Sequence, residues 1–154
     1  MNLGAMIALG VDPVALETEL RKLPYHGWSL QFTTDQRQGI SGTRCDVQLE
    51  SAHTHTHEKP ETHHHHHRHY SEIRDAIQNS ALSEAVKCDA IACFHALAVA
   101  EGAVHGIEPE AVHFHEVGAI DSIVDMVGAA ICWDLLGVER IICSTLELGG
   151  GTVK

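Results

Sequence analysis

Residues 113–125, His-Phe-His-Glu-Val-Gly-Ala-Ile-Asp-Ser-Ile-Val-Asp, form the densest constellation of chemically capable side chains in the chain. His113 and His115 are two apart, so an extended backbone points both rings to one side and turns Phe114 to the other. Asp121 and Asp125 are four apart, which on a helix puts both carboxylates on one face. Glu116 lies between the two pairs. Two imidazoles and up to three carboxylates can thus meet around one cation. Such mixed ligation suits nickel, zinc, iron or manganese without choosing among them. The neighbours Val117, Ala119, Ile120, Ile123 and Val124 are apolar, so these polar groups sit in a core-like segment and need partners, of which a metal is one. The plain alternatives are a chance His-x-His pair in a histidine-rich chain, a helix-capping Asp121 and a solvated Asp125.

A second metal signal lies upstream. Nine of the chain's fourteen histidines fall within residues 53–69: His53, His55, His57, His63, His64, His65, His66, His67 and His69. A run of imidazoles offers many overlapping binding modes, none preorganised, with selectivity following the general divalent-metal order. It suits collecting or buffering nickel, copper or zinc rather than holding a reacting metal in fixed geometry. Its internal position and its interruption by Arg68 argue against an added purification tag.

Other polar residues carry weaker signals. His95 fits a surface or satisfied core position, His26 a loop, and His105 before Gly106 the end of a helix, where its charge would favour the dipole. Gly149-Gly150-Gly151 follows an apolar run, but no Walker pattern accompanies it. The five cysteines (Cys45, Cys88, Cys93, Cys132 and Cys143) show no CxxC pair, and read as free thiols, mostly small core residues.

The elements that must position these groups follow from composition and pattern. A chain of 154 residues suits one domain. Its 44% apolar content supports a real core, and only 5% is aromatic, so that core is built mainly from Ala, Val, Ile and Leu. A formal charge of -11 argues against nucleic-acid binding. No apolar run spans a bilayer and no secretory signal is visible, which together with free thiols gives a cytoplasmic expectation and no membrane partner.

Residues 1–50 form a first α/β block. Helices are expected over Met1–Leu9 and Pro13–Leu23, the second capped by Asp12. A strand is expected around Trp28, Leu30 and Phe32, a turn at Gly39–Gly42, and a strand around Cys45, Val47 and Leu49. Residues 51–69, with almost no apolar content, are expected to be a disordered histidine-rich loop. Residues 70–154 form a helical block ending in a strand. Its helices are expected from Ser71 to Asn79, from Ser83 to about His105, and from about Gly118 to Leu136, followed by a buried strand over Arg140–Leu148. The fold class is α/β, a small mixed sheet packed against a helical block.

Three segments together are distinctive: HFHEVGAIDSIVDMVGAA at 113–130, LELGGGTVK at 146–154 and QGISGTRCDV at 38–47. They resemble the LarC family of nickel insertion proteins, which carries its own histidine-rich insertion where this chain has residues 53–69 followed by RHYSEIRDAI. The resemblance covers nearly the whole chain, and its HFHE-x-G-x-x-D-S-x-x-D segment is specific. It implies a part in making the nickel-pincer nucleotide. There a CTP-dependent cyclometallase of the lyase class inserts Ni(II) into pyridinium-3,5-bisthiocarboxylic acid mononucleotide, forming Ni–S bonds and a Ni–C bond. Family members begin with a strand and a Ser-Gly-Asp turn upstream of the position of Met1, and continue past that of Lys154. The resemblance therefore implies an N-terminal portion, with CTP and Mg(II) handled by the missing C-terminal part and with an open sheet edge that promotes a homo-oligomer. Two other readings stand beside it: a nickel store or metallochaperone without catalysis, and a metal-dependent hydrolase in which the HxHE segment activates water.

Overall fold

The computed structural model describes residues 2–50, 68–146 and 149–150. Residues 51–67 of the expected open loop, with every tract histidine from His53 to His67, lie outside the described residues, as do residues 147–148 and 151–154; its last two residues, Arg68 and His69, are instead an ordered strand, paired to a second one.

The chain opens with α1 (Asn2–Ala8) and α2 (Pro13–Leu20). Asp12 caps α2, accepting from Val14 N at 3.2 Å and Ala15 N at 3.3 Å, with Pro13 in the first helical position. The helix stops at Leu20 rather than Leu23, because Pro24 disfavours helical geometry in the residue before it. Strands β1 (Trp28–Arg37) and β2 (Ile40–Leu49) then form an antiparallel hairpin, in register from Trp28 opposite Leu49 to Arg37 opposite Ile40. Its turn is Gln38-Gly39, at φ 49° and 82°, the left-handed pair that matches strand twist. The expected turn at Gly39–Gly42 is thus displaced, and Ile40–Gly42 extend the second strand.

Beyond the tract, β3 (Arg68–His69) leads straight into α3 (Tyr70–Gln78). The cap is His69, whose N–H donates to the Glu72 carboxylate at 3.1 Å, and not the expected Ser71. Helix α4 (Glu84–His105) keeps both expected ends. The Ser83 hydroxyl accepts from Val86 N at 3.3 Å, and Gly106 closes it at φ 69°. A 3-10 turn (Pro109–Ala111) and β4 (His113–Phe114) follow, and α5 (Ile120–Leu136) ends at Gly137.

Helix α5 is the centre of the packing. Ile123, Val124, Val127, Ala130 and Ile131 are buried, and the helix packs on α1, α2 and α4. Leu3, Leu16, Leu20 and Trp28 join Ile73, Phe94 and Phe114 in one core cluster, so residues from both sides of the tract share a single interior. Each large side chain removed from water there is worth about 1.5–3 kcal/mol.

The mixed α/β expectation agrees with the structure, and both strand pairs are antiparallel. The expected strand at Arg140–Leu148 does not form over its described part. Residues 138–146 carry no strand, and Ile141, Ile142 and Leu146 are 60%, 77% and 71% exposed. Their apolar, β-branched character gives strand propensity, but a strand needs a ladder partner, and none of the described strands lies beside them. Among the described residues, no helix is long and apolar enough to cross a membrane.

Candidate functional site

The short β3–β4 ladder places His69 directly opposite His113 and Arg68 opposite Phe114. The His69 and His113 rings lie 4.3 Å apart between centroids, tilted by 36°. The His113 and His115 rings lie 5.8 Å apart and nearly parallel, at 9°. Three imidazoles therefore form a row on one side of the ladder. Phe114 points the opposite way, 1% exposed, with its ring centroid 6.3 Å from Phe94 and 6.4 Å from Tyr70. This is the alternation expected from His-Phe-His, and burial of Phe114 holds the strand in the phase that presents the row.

Close backbone packing fixes the ladder to the turn that follows. The Arg68 guanidinium donates to Gly118 O at 2.6 Å and sits 5.2 Å over the Tyr25 ring. Burial raises the Tyr25 phenol above its ordinary value, against the opposing pull of Arg68. A Cβ at position 118 would stand 2.8 Å from Phe114 O and 3.0 Å from Arg68 N, so only glycine fits there without displacing backbone. Glu116 is exposed on this turn, and its carbonyl accepts from Ala119 N at 3.1 Å and from the Ser122 hydroxyl at 3.4 Å.

The two aspartates face elsewhere. Asp121, Ser122 and Asp125 line one wall of a cleft of about 390 Å³ whose other wall is Arg44–Gln48 of β2. That volume suits a small polar molecule. Asp121 accepts from Ser122 N at 2.8 Å inside the first turn of α5, but the cap position is Ala119, which makes no side-chain cap bond, so Asp121 is not the helix cap. Arg44 pairs with Asp46 at 2.8 Å along the β2 wall. Beneath them, burial pushes the Cys45 thiol up to about 11, helped by the charge of Asp125. Burial and the neighbouring Cys45 push Cys132 to about 11 as well. Both are poor nucleophiles at neutral pH.

The five ordered candidates thus fall into two groups rather than one. His113 and His115 stand with His69, Asp121 and Asp125 stand with Cys45 and Asp46, and Glu116 lies on the turn between. Among the described residues, no group of three or more His, Cys, Asp or Glu side chains is gathered closely enough to hold a metal ion as placed. Of the tract, only His69 is described, and it is an ordered member of the imidazole row. Sequence reasoning missed the β2 wall of the cleft. Its only trace was Cys45 alternating with Val47 and Leu49, a pattern that shows a strand but not what the strand faces. His95, expected at the surface or in a satisfied core position, is exposed, with its ring 5.7 Å from Tyr70.

A family model described as nickel insertion protein matches residues 1–154. A pyridinium-3,5-bisthiocarboxylic acid mononucleotide nickel insertion protein from Akkermansia muciniphila is 50% identical over 155 residues, covering 99% of this chain and 37% of that protein. Proteins of the same name from Geobacillus kaustophilus and Clostridium kluyveri are 45% and 46% identical, each covering 100% of this chain, and 37% and 39% of their own lengths. The chain therefore spans under two fifths of the length of these relatives. No solved structure matches it.

Proposed function

The chain belongs to the nickel insertion protein family, and from that premise we propose that it binds Ni(II) and delivers it for insertion into pyridinium-3,5-bisthiocarboxylic acid mononucleotide. Nickel is cargo in this reading. Histidines 53–67 collect it with modest affinity, and the His69–His113–His115 row receives it. The observation that carries the reading is the cross-strand pairing of His69 with His113. The last histidine of the tract is built into the ordered row, so a metal leaving the tract meets a fixed imidazole pair within one residue of chain.

The chemistry of release follows from ligand softness. Imidazoles hold nickel less firmly than sulfur donors, so a substrate presenting two thiocarboxylates draws the ion forward. The cleft between β2 and α5 has room for part of a small polar substrate, and Asp121 and Asp125 on its wall are the candidates for accepting the ring proton that a nickel–carbon bond displaces. Dependence on CTP and Mg(II) is assigned to the part of the longer relatives that this chain does not span. The finished reaction therefore needs both parts. A storage or metallochaperone role without catalysis is the competing reading.

Nickel titration tests the proposal on three forms: the intact chain, a chain lacking residues 53–67 but keeping His69, and the His113→Ala/His115→Ala variant. The deletion should remove the weak, multiple sites and leave one tighter site, which the double variant should lack. A double variant that keeps the tighter site sinks the row as the receiving site. Adding the mononucleotide should strip nickel from the intact chain, and retention of the ion would favour storage.

A further inference from the structure

Residues 63–69 are all histidine but for one, Arg68. A guanidinium carries no lone pair for a metal and repels a second cation, so its place in this run needs a reason. The ladder supplies one. Successive strand residues face opposite ways, so Arg68 lies on the side of Phe114, its partner, and away from the imidazole row. There its guanidinium donates to Gly118 O at 2.6 Å and stands 5.2 Å over the Tyr25 ring. The bond is charge-assisted, and the ring face attracts the same cation. One side chain thus ties β3 to the turn before α5 and to the segment between α2 and β1.

His69 therefore has an anchor on either side. Before it stands Arg68. After it, Tyr70 is buried and its N–H donates to Val112 O at 3.0 Å. The His69 backbone is extended, at φ -70° and ψ 146°, and its N–H donates to the Glu72 carboxylate at 3.1 Å. His69 itself is exposed, so the place of its ring, 4.3 Å from that of His113, is set by this backbone. We propose that Arg68 is the positioning residue of the receiving row: held by Gly118 O and Tyr25, it fixes β3 so that the His69 ring stands beside His113 to meet nickel. This rests on the row being the receiving site. Tyr70 and Glu72 hold the helix side of His69, and Arg68 holds the tract side. With both sides held, the imidazole binds without the ordering cost that a loose one carries. Arg68 is then what separates the one built-in histidine from the run that precedes it.

Nickel titration of the intact chain against a competing chelator, which leaves the weak sites empty, tests this. Arg68→Ala should weaken the tighter site by about 10- to 100-fold, as loss of groups that orient a metal ligand does. Arg68→His should weaken it as well, although it adds an imidazole to the run. Arg68→Lys keeps a cation and a donor but not the planar fork, and should fall between Arg68→Ala and the parent. Because the effect passes through His69, Arg68→Ala should add less than about twofold in a His69→Ala background. X-ray absorption should count one imidazole fewer per nickel in Arg68→Ala than in the parent. An Arg68→His chain that binds as tightly as the parent would overturn the clamp. So would a large further loss on top of His69→Ala, which marks a merely structural role. His113→Ala/His115→Ala is the control. If that variant keeps the tighter site, the row falls and the clamp with it. If it loses the site while Arg68→Ala keeps it, the clamp alone falls.

Discussion

The imidazole row on β3–β4 and the acidic cleft between β2 and α5 draw on one stretch of sequence, residues 113–125, yet they are built differently. The row is borne by two-residue strands, and its geometry depends on one buried ring, Phe114, on the close approach of Gly118 and on the Arg68 bond to the Gly118 carbonyl. The cleft is borne by the first turns of the helix at the centre of the core and by a ten-residue strand. One is a lightly held group of borderline-soft ligands at the exit of a histidine tract. The other is a rigid wall of hard oxygen donors over two thiols that burial keeps protonated. The difference teaches that nearness in sequence gave these groups a common support, not a common centre. A hand-over site benefits from easy adjustment, and a substrate-sized cleft benefits from rigidity.

That contrast can be broken at its weakest point. Phe114→Ala should cost about 3–5 kcal/mol, as for other buried aromatic truncations, read as a lower urea midpoint, and should abolish the tighter nickel site with it. If the midpoint barely moves, the ladder is not held by that ring. Next in size, His113→Ala/His115→Ala should weaken the tighter nickel site by at least about 10- to 100-fold, since loss even of groups that only support a ligand has that effect. Asp121→Asn/Asp125→Asn should change it by at most about threefold, under ~0.7 kcal/mol. Equal effects from the two double variants would merge row and cleft into one site.

The cleft side is sharpened by pH. The Cys45 and Cys132 thiols ionise near 11 in the folded chain and near 9.0 when unfolded. Ionisation therefore favours the unfolded chain as pH rises above 9. Their contribution is complete below pH 9 and is lost as pH approaches 11. Thermal melts across that range should show a steeper alkaline fall for the parent than for Cys45→Ala/Cys132→Ala, and parallel curves would contradict it. The smallest effect belongs to Asp125→Asn. Removing a charge that is second to burial among the causes should lower the Cys45 value slightly and speed its alkylation at pH 9 by a small factor. No change would place Asp125 out of reach of the thiol.

Much of this was legible from residues alone, where local chemistry decides. Ser83 and Gly106 bracket α4, Asp12-Pro13 starts α2, and His-Phe-His alternates as strands require, because each rule involves groups only a few positions apart. The larger failures come from pairing between distant segments. Arg140–Leu148 has the composition of a strand, but pairing is a property of two segments. The turn moved to Gln38-Gly39 because the ladder's register, not glycine content alone, fixed which residues take positive φ. His69 looked like one histidine among nine until its strand partner was known. The β2 wall of the cleft depends on how a hairpin meets a helix some eighty residues further along the chain, and no local pattern encodes that.

The contact between Gly4 and Thr43 closes one edge of the hairpin. With α1 seated on the β2 edge, the Thr43 carbonyl is kept from any further strand. Any side chain at position 4 must lift α1 from the carbonyl it covers and so open that edge. An open edge is a template for pairing between molecules, so the missing Cβ of one residue guards the chain against edge-to-edge aggregation.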